Sequence, residues 1–322
     1  MIKDKTVFIL GAGASSPYGY PTGSELREKI CKDFTRKDSL FKPGDIYWEM
    51  QRELAEQFTK RFSNAGANTS IDLFLARLNP AGKQKFTNIG KTAISFFILD
   101  AEIESKFDEN MKEVKKSQDW YAPLLGKMMS KLTAHDSYSD IEGNNVTFIT
   151  FNYDRSLEYY IHRCFTSTFP DAPEDYLQKI GNEIIKIHHV YGKIADMPWQ
   201  KTGADSLLYR PERFTEYIDN TIKNIKTIYE ISKFVKEDIR SSIVEAQKIF
   251  FLGFGYAEEN LKAIGMPAIL QNGSRTTKIY GTAQGMPPNR IGELNKMFNE
   301  HKNTVNIRLD MDCLQLLREY LL

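Results

Sequence analysis

The stretch Val7-Phe8-Ile9-Leu10-Gly11-Ala12-Gly13-Ala14-Ser15-Ser16 constrains the fold of this 322-residue chain more than any other. A continuous apolar run that stops on two alternate glycines reads as a strand covered on both faces, ending in a turn that opens onto a helix. Glycines there allow close backbone approach, and amide N–H groups at a helix N-terminus meet the charge of a pyrophosphate. The dehydrogenase fingerprint asks for a third glycine where Ser16 stands, and for an acid at the end of a second strand about 20 residues on. Asp33 and Asp38 fall at that distance but follow a helical pattern. The spacing therefore predicts a dinucleotide cradle of a non-dehydrogenase kind, formed by Gly11, Ala12, Gly13, Ala14 and Ser15. The alternative is a strand-to-helix turn that holds nothing. The loop Gly19-Tyr20-Pro21-Thr22-Gly23 delays the helix, and reads either as a flap over a bound nucleotide or as a plain turn.

Five further runs read as strands: Val146 to Phe151, Ile184 to Val190, Lys248 to Leu252, Lys278 to Thr282 and Thr304 to Leu309. The second and fourth of the six strands are, like the first, almost wholly apolar. The last alternates Val305, Ile307 and Leu309, as an edge strand does. Between them lie helical patterns, among them a capping box at Thr22 and Glu25 followed by Leu26, Ile30 and Phe34 along one face. Strands alternating with helices predict an α/β fold, a Rossmann-like parallel sheet of about six strands with helices on both faces. From about Phe34 to Asn145 the chain reads as helices and loops, including the amphipathic Ile71 to Leu78. We therefore expect residues 1–33 and 146–322 to form the sheet domain and 34–145 a helical insertion.

Three more constellations stand at predicted strand ends. In Thr150-Phe151-Asn152-Tyr153-Asp154, alternation puts a hydroxyl, an amide and a carboxylate on one side, where open α/β sheets bind ligands. The plainer alternative has Asn152 shaping a turn and Asp154 capping the next helix. Ile187-His188-His189-Val190-Tyr191-Gly192 carries two of the five histidines. Alternation puts His189 and Tyr191 on one face and His188 on the other. Such a histidine suits a general base, or is simply packed in the sheet. His135, His162 and His301 read as surface or helix-face residues. Gly253-Phe254-Gly255 ends another apolar strand and serves either close approach by adenosine or ribose, or an ordinary turn.

Composition narrows the classes. With 43 basic and 42 acidic side chains there is no global field for nucleic acid or an acidic membrane, so no direct nucleic-acid partner is expected. Cys31, Cys164 and Cys313 lie far apart with no Cys-x-x-Cys pair, which leaves a zinc ribbon without ligands and suits a reducing compartment. No apolar run approaches the roughly 20 residues of a membrane span, and no secretory h-region is visible. We expect a soluble cytoplasmic protein without a metal.

In their order along the chain, Gly11-Ala12-Gly13-Ala14-Ser15 with Gly19-Tyr20-Pro21-Thr22, Thr150-x-Asn152-x-Asp154, the His-containing strand to Gly192, and Gly253-x-Gly255 resemble the sirtuin-like family of NAD-binding proteins. The Ile71-Asp72 helix looks like one found in bacterial members. Protein-deacylating sirtuins carry a zinc module of two Cys-x-x-Cys pairs, absent here, so the resemblance points to the zinc-free bacterial branch of anti-phage NAD hydrolases. It implies NAD as substrate, cleaved at the nicotinamide–ribose bond. It implies Asn152 orienting water or ribose, and Gly11, Ala12, Gly13, Ala14, Ser15, Pro21, Thr22, Thr150, Asp154, Gly253 and Gly255 holding the dinucleotide. The family places its catalytic histidine immediately before the glycine, where Tyr191 stands; His189 is the candidate from two residues earlier, and His188 points away. A NAD-consuming effector also implies restraint by self-assembly or by a separate activating partner. Two rivals are a non-catalytic sensor of NAD or ADP-ribose, and a zinc-free deacylase or ADP-ribosyl transferase.

Overall fold

The computed structural model describes residues 1–36, 46–66, 69–78, 84–107, 114–132, 137–201, 203, 206–212, 214–268, 276–299 and 303–322. Asp38, His135 and His301 lie outside them. The strands are β1 (Thr6–Leu10), β2 (Val146–Thr150), β3 (Lys186–His189), β4 (Lys248–Leu252), β5 (Lys278–Thr282) and β6 (Thr304–Arg308). All pair in parallel, in the order β3-β2-β1-β4-β5-β6. Every residue of β1 is buried, and successive side chains point to opposite faces, so the sheet centre is covered on both sides. The expected Rossmann-like fold is therefore the one observed. The apolar strands occupy the middle, and alternating β6 lies at an edge.

An aromatic row sets the register. Phe8 sits opposite Phe148 on β2 and Phe250 on β4, and Phe250 opposite Tyr280 on β5. The rings stack at centroid distances of 5.1, 5.4 and 4.9 Å. Slipping one strand by a residue would turn its aromatic to the other face and break the row. The same register levels the carboxyl ends, pairing Leu10 with Thr150 and with Leu252. The turns after β1, β2 and β4 thus meet where the strand order reverses, the place open α/β sheets use for ligands.

The described residues between 34 and 145 carry helices α2 (Ile46–Ser63), α3 (Ile71–Leu78), α4 (Gln84–Ile103) and α5 (Tyr121–Met129). They share one buried core with the sheet, α1 (Gly23–Asp33) and α6 (Ser156–Thr168). Three polar clamps fix them to it. Trp120 Nε1 donates to the Ala14 carbonyl at 2.8 Å, and Lys106 N donates to Tyr18 O at 3.0 Å. Glu102 on α4 pairs with fully buried Arg155 at 2.6 Å. Burial raises the Glu102 carboxyl, against the pull of Arg155. The Arg155 guanidinium also donates to the carbonyls of Leu207 at 2.6 Å and Leu208 at 3.0 Å. Trp120, Lys106 and Glu102 therefore brace both the glycine turn and the loop after β2. No described helix is long and apolar enough to cross a membrane.

Candidate functional site

The turn after β1 and the turn after β4 are locked together by backbone. Gly11 N donates to Leu252 O at 3.0 Å and Gly13 N to Gly253 O at 3.1 Å. Gly253 has φ +56°, and a Cβ on it would stand 2.0 Å from Ala14 N. From the other side, a Cβ on Gly11 would meet Gly253 O at 2.5 Å. The glycines that read as room for a pyrophosphate thus first give the two turns room for each other. Gly255 differs, because a Cβ there meets nothing within 4 Å. Beyond the turn, Thr22 caps α1 in the expected box with Glu25. Gly19, Tyr20 and Pro21 border a groove of about 440 Å³ that runs to Lys29 and Lys32 on α1.

At the end of β2 the side chains form a directed chain. Ser156 N donates to Asp154 Oδ1 at 3.0 Å, and Ser15 Oγ donates to Asp154 Oδ2 at 2.7 Å. The Ser156 hydroxyl also bonds Oδ1, and it meets Tyr121 OH at 2.8 Å. Because a carboxylate only accepts, the Ser15 proton is committed to Asp154. Ser15 must then accept from the Asn152 amide, whose Nδ2 lies at 2.6 Å. This fixes the amide's orientation by chemistry, with Nδ2 inward and Oδ1 elsewhere. Oδ1 is buried and has no partner among the described residues. An orphaned buried acceptor costs about 1–3 kcal/mol, so it is a place where a donor such as water or a ribose hydroxyl would be taken up. Burial raises the Asp154 carboxyl, while the bonds from Ser156 and Ser15 lower it. The Thr150 hydroxyl accepts from Asn152 N at 3.0 Å and steadies the same turn.

His189 sits behind this chain. Its Nδ1 lies 2.9 Å from the Asn152 carbonyl and its Nε2 2.7 Å from Glu158 Oε1 on α6. Burial would raise Glu158, but the charges of His189 and Lys193 bring it down to about 2. Both ring nitrogens face oxygen acceptors, so in this arrangement neither is free to take a proton from a ribose hydroxyl. His188 faces the other way, as expected, onto a groove at the start of the strands beside Asp238, and burial lowers its pKa. The shared face expected for Tyr191 and His189 is not found, because β3 ends at His189 and alternation ends with it. Tyr191 instead packs against Phe151 at 5.5 Å and donates to Asn260 Oδ1 at 2.8 Å, on α7 (Glu258–Ala263). Gly192 then turns the chain at φ +73°. His162 is half-buried on α6, stacked 3.8 Å from Trp199, and burial lowers it to about 4.

The sequence therefore named Asn152, Asp154 and Ser15, which the fold joins, and His189, which it puts one layer back. It missed Glu158, Tyr121 and Trp120, whose partners lie 31 to 106 residues away and leave no local spacing to read.

A family model described as "SIR2-like domain" matches residues 146–307, half of the chain. This chain belongs to the SIR2-like family. The match runs from β2 through β6 and takes in Asn152, Asp154, His189 and the Gly253 turn. In this SIR2-like chain the Gly11–Ser15 turn lies outside the matched span and is joined to it by the bonds to Leu252, Gly253, Asn152 and Asp154. Membership implies NAD binding. No curated protein matches the chain.

Proposed function

We propose that this SIR2-like chain hydrolyses NAD at the nicotinamide–ribose bond, giving nicotinamide and ADP-ribose, and that it acts as a bacterial anti-phage effector. The observation that carries the reaction is the buried Asn152 Oδ1, without a partner among the described residues and held in one orientation by Ser15 and Asp154 where three turns meet. An acceptor so placed suits a water or ribose hydroxyl beside the anomeric carbon. Cleavage of a glycosidic bond passes through an oxocarbenium-like state, which positioned dipoles stabilise. In this scheme Asn152 orients the attacking water, and Asp154 and Ser15 set the amide. Thr150, Pro21, Thr22, the glycine turns and Gly255 shape the nucleotide groove. His189, bonded to the Asn152 carbonyl, steadies that residue from behind.

Removing one such positioning group typically costs about 10²–10³ in rate. We expect Asn152→Ala to lose at least that much nicotinamide release from NAD while keeping the wild-type melting temperature within a few degrees. Unchanged turnover in this variant rejects the assignment. A second reading, a sensor that binds NAD without cleaving it, is favoured by Tyr191 standing in the imidazole position and by the engaged nitrogens of His189.

A further inference from the structure

We infer that Glu158 is a positioning residue of this site, acting through His189 on the backbone carbonyl of Asn152, an inference that rests on the NAD-hydrolase reading. Asn152 is held at three points by side chains. Thr150 Oγ1 accepts from Asn152 N at 3.0 Å, Ser15 Oγ accepts from Nδ2 at 2.6 Å, and His189 Nδ1 meets the Asn152 carbonyl at 2.9 Å. The carbonyls on either side are held by backbone instead. Thr150 O accepts from Val190 N at 2.9 Å, and Tyr153 O accepts from Ile194 N at 3.0 Å. Between those two bonds the turn that carries Asn152 depends on an imidazole, so whatever fixes the imidazole helps to aim the amide.

Glu158 fixes it. His189 Nε2 lies 2.7 Å from Glu158 Oε1, and the two side chains are only 7% and 2% exposed, so water cannot stand in for either partner. Either neutral form of the ring would turn a nitrogen lone pair on an oxygen, at Glu158 or at Asn152. Both contacts are therefore donations, and in this arrangement the ring is an imidazolium. A hydrogen bond from a charged donor is roughly twice as strong as a neutral one, which suits the grip on the Asn152 carbonyl. A buried cation needs a counter-charge, and Glu158 supplies it from the first turn of α6, where the helix dipole favours a carboxylate. Lys193 lies 3.4 Å from the same oxygen but has partners of its own, Asp196 at 3.0 Å and Gln200 Oε1 at 2.9 Å. The four charges thus cancel in two pairs, Glu158 with His189 and Lys193 with Asp196.

The test is steady-state nicotinamide release from NAD by wild type, Glu158→Ala, Glu158→Gln, His189→Phe and the double variant Glu158→Ala/His189→Phe. Glu158→Ala should lower kcat by about 10²-fold with KM little changed, because a misaimed Asn152 is felt in the transition state rather than in binding. His189→Phe fills much the same space and donates nothing, and it should lose as much. The double variant should be no worse than either single one, because both changes break the same chain. Glu158→Gln should recover most of the activity, since its amide can donate to Nε2 and leave the Nδ1–H on the Asn152 carbonyl. A merely structural Glu158 would lower the melting temperature and leave kcat alone, or give losses that add in the double variant. Either result, or a Glu158→Gln no better than Glu158→Ala, overturns the inference while leaving hydrolysis intact. Should Glu158→Ala not fold, a wild-type kcat in His189→Phe overturns it alone. A wild type that releases no nicotinamide overturns the hydrolase reading, and this inference with it.

Discussion

At the scale of single residues, the hydrogen-bond polarity from Asp154 to Asn152 matters more than any one distance. Asp154 can only accept, so Ser15 donates to it and accepts from Asn152, leaving an oxygen unpaired among the described residues. Asp154→Asn should reverse the chain without breaking it. The new amide keeps its oxygen toward Ser156 N, because that N–H can only donate, and turns its NH₂ toward Ser15. Ser15 would then donate to Asn152, which flips and offers Nδ2 where Oδ1 had been. We expect the variant to melt near wild type yet lose about 10²-fold in nicotinamide release, the usual cost of a misplaced positioning group. Turnover within threefold of wild type would show that the amide's orientation is immaterial. His189 teaches a related lesson. Its place on the strand was legible, but its partners, Glu158 and the Asn152 carbonyl, come from elements that only folding brings near.

At the scale of elements, the strands and their glycine ends were legible because they are local patterns: an apolar run, then Gly-x-Gly. What those glycines touch was not. Gly253 and Gly255 look equivalent in sequence, yet one is pressed against the β1 turn and the other faces open space. Gly253→Ala should therefore destabilise the protein by about 3 kcal/mol or more, through both the clash with Ala14 N and the positive φ. Gly255→Ala should cost less than about 1 kcal/mol in folding. Urea unfolding of the two variants checks the difference, and equal losses would mean that the turns do not depend on this contact. Helix α3 shows the opposite limit. Its amphipathic spacing was plain, but the bond that Asp72 accepts from Tyr153 was not, since that partner is 81 residues away.

At the scale of the whole molecule, the sheet order follows from parallel strands with buried centres, and it fixes where the turns converge. The described helices between residues 34 and 145 pack into the same core, and this part of the chain holds the glycine turn through Trp120 and the loop after β2 through Glu102 and Arg155. An enzyme that consumes NAD needs restraint, and we propose that it comes from self-assembly or from a separate activating protein. Light scattering and NAD turnover, measured for the chain alone and with the product of a neighbouring gene, should show activity rising on assembly or on addition of that partner. A fully active monomer would contradict this. The central claim is tested most directly by following nicotinamide released from NAD by the purified protein, with Asn152→Ala alongside and with or without an acylated peptide. Hydrolysis as proposed gives release that needs no peptide and drops at least about 10²-fold in the variant. Tight NAD binding without release, or release only with peptide, would contradict it.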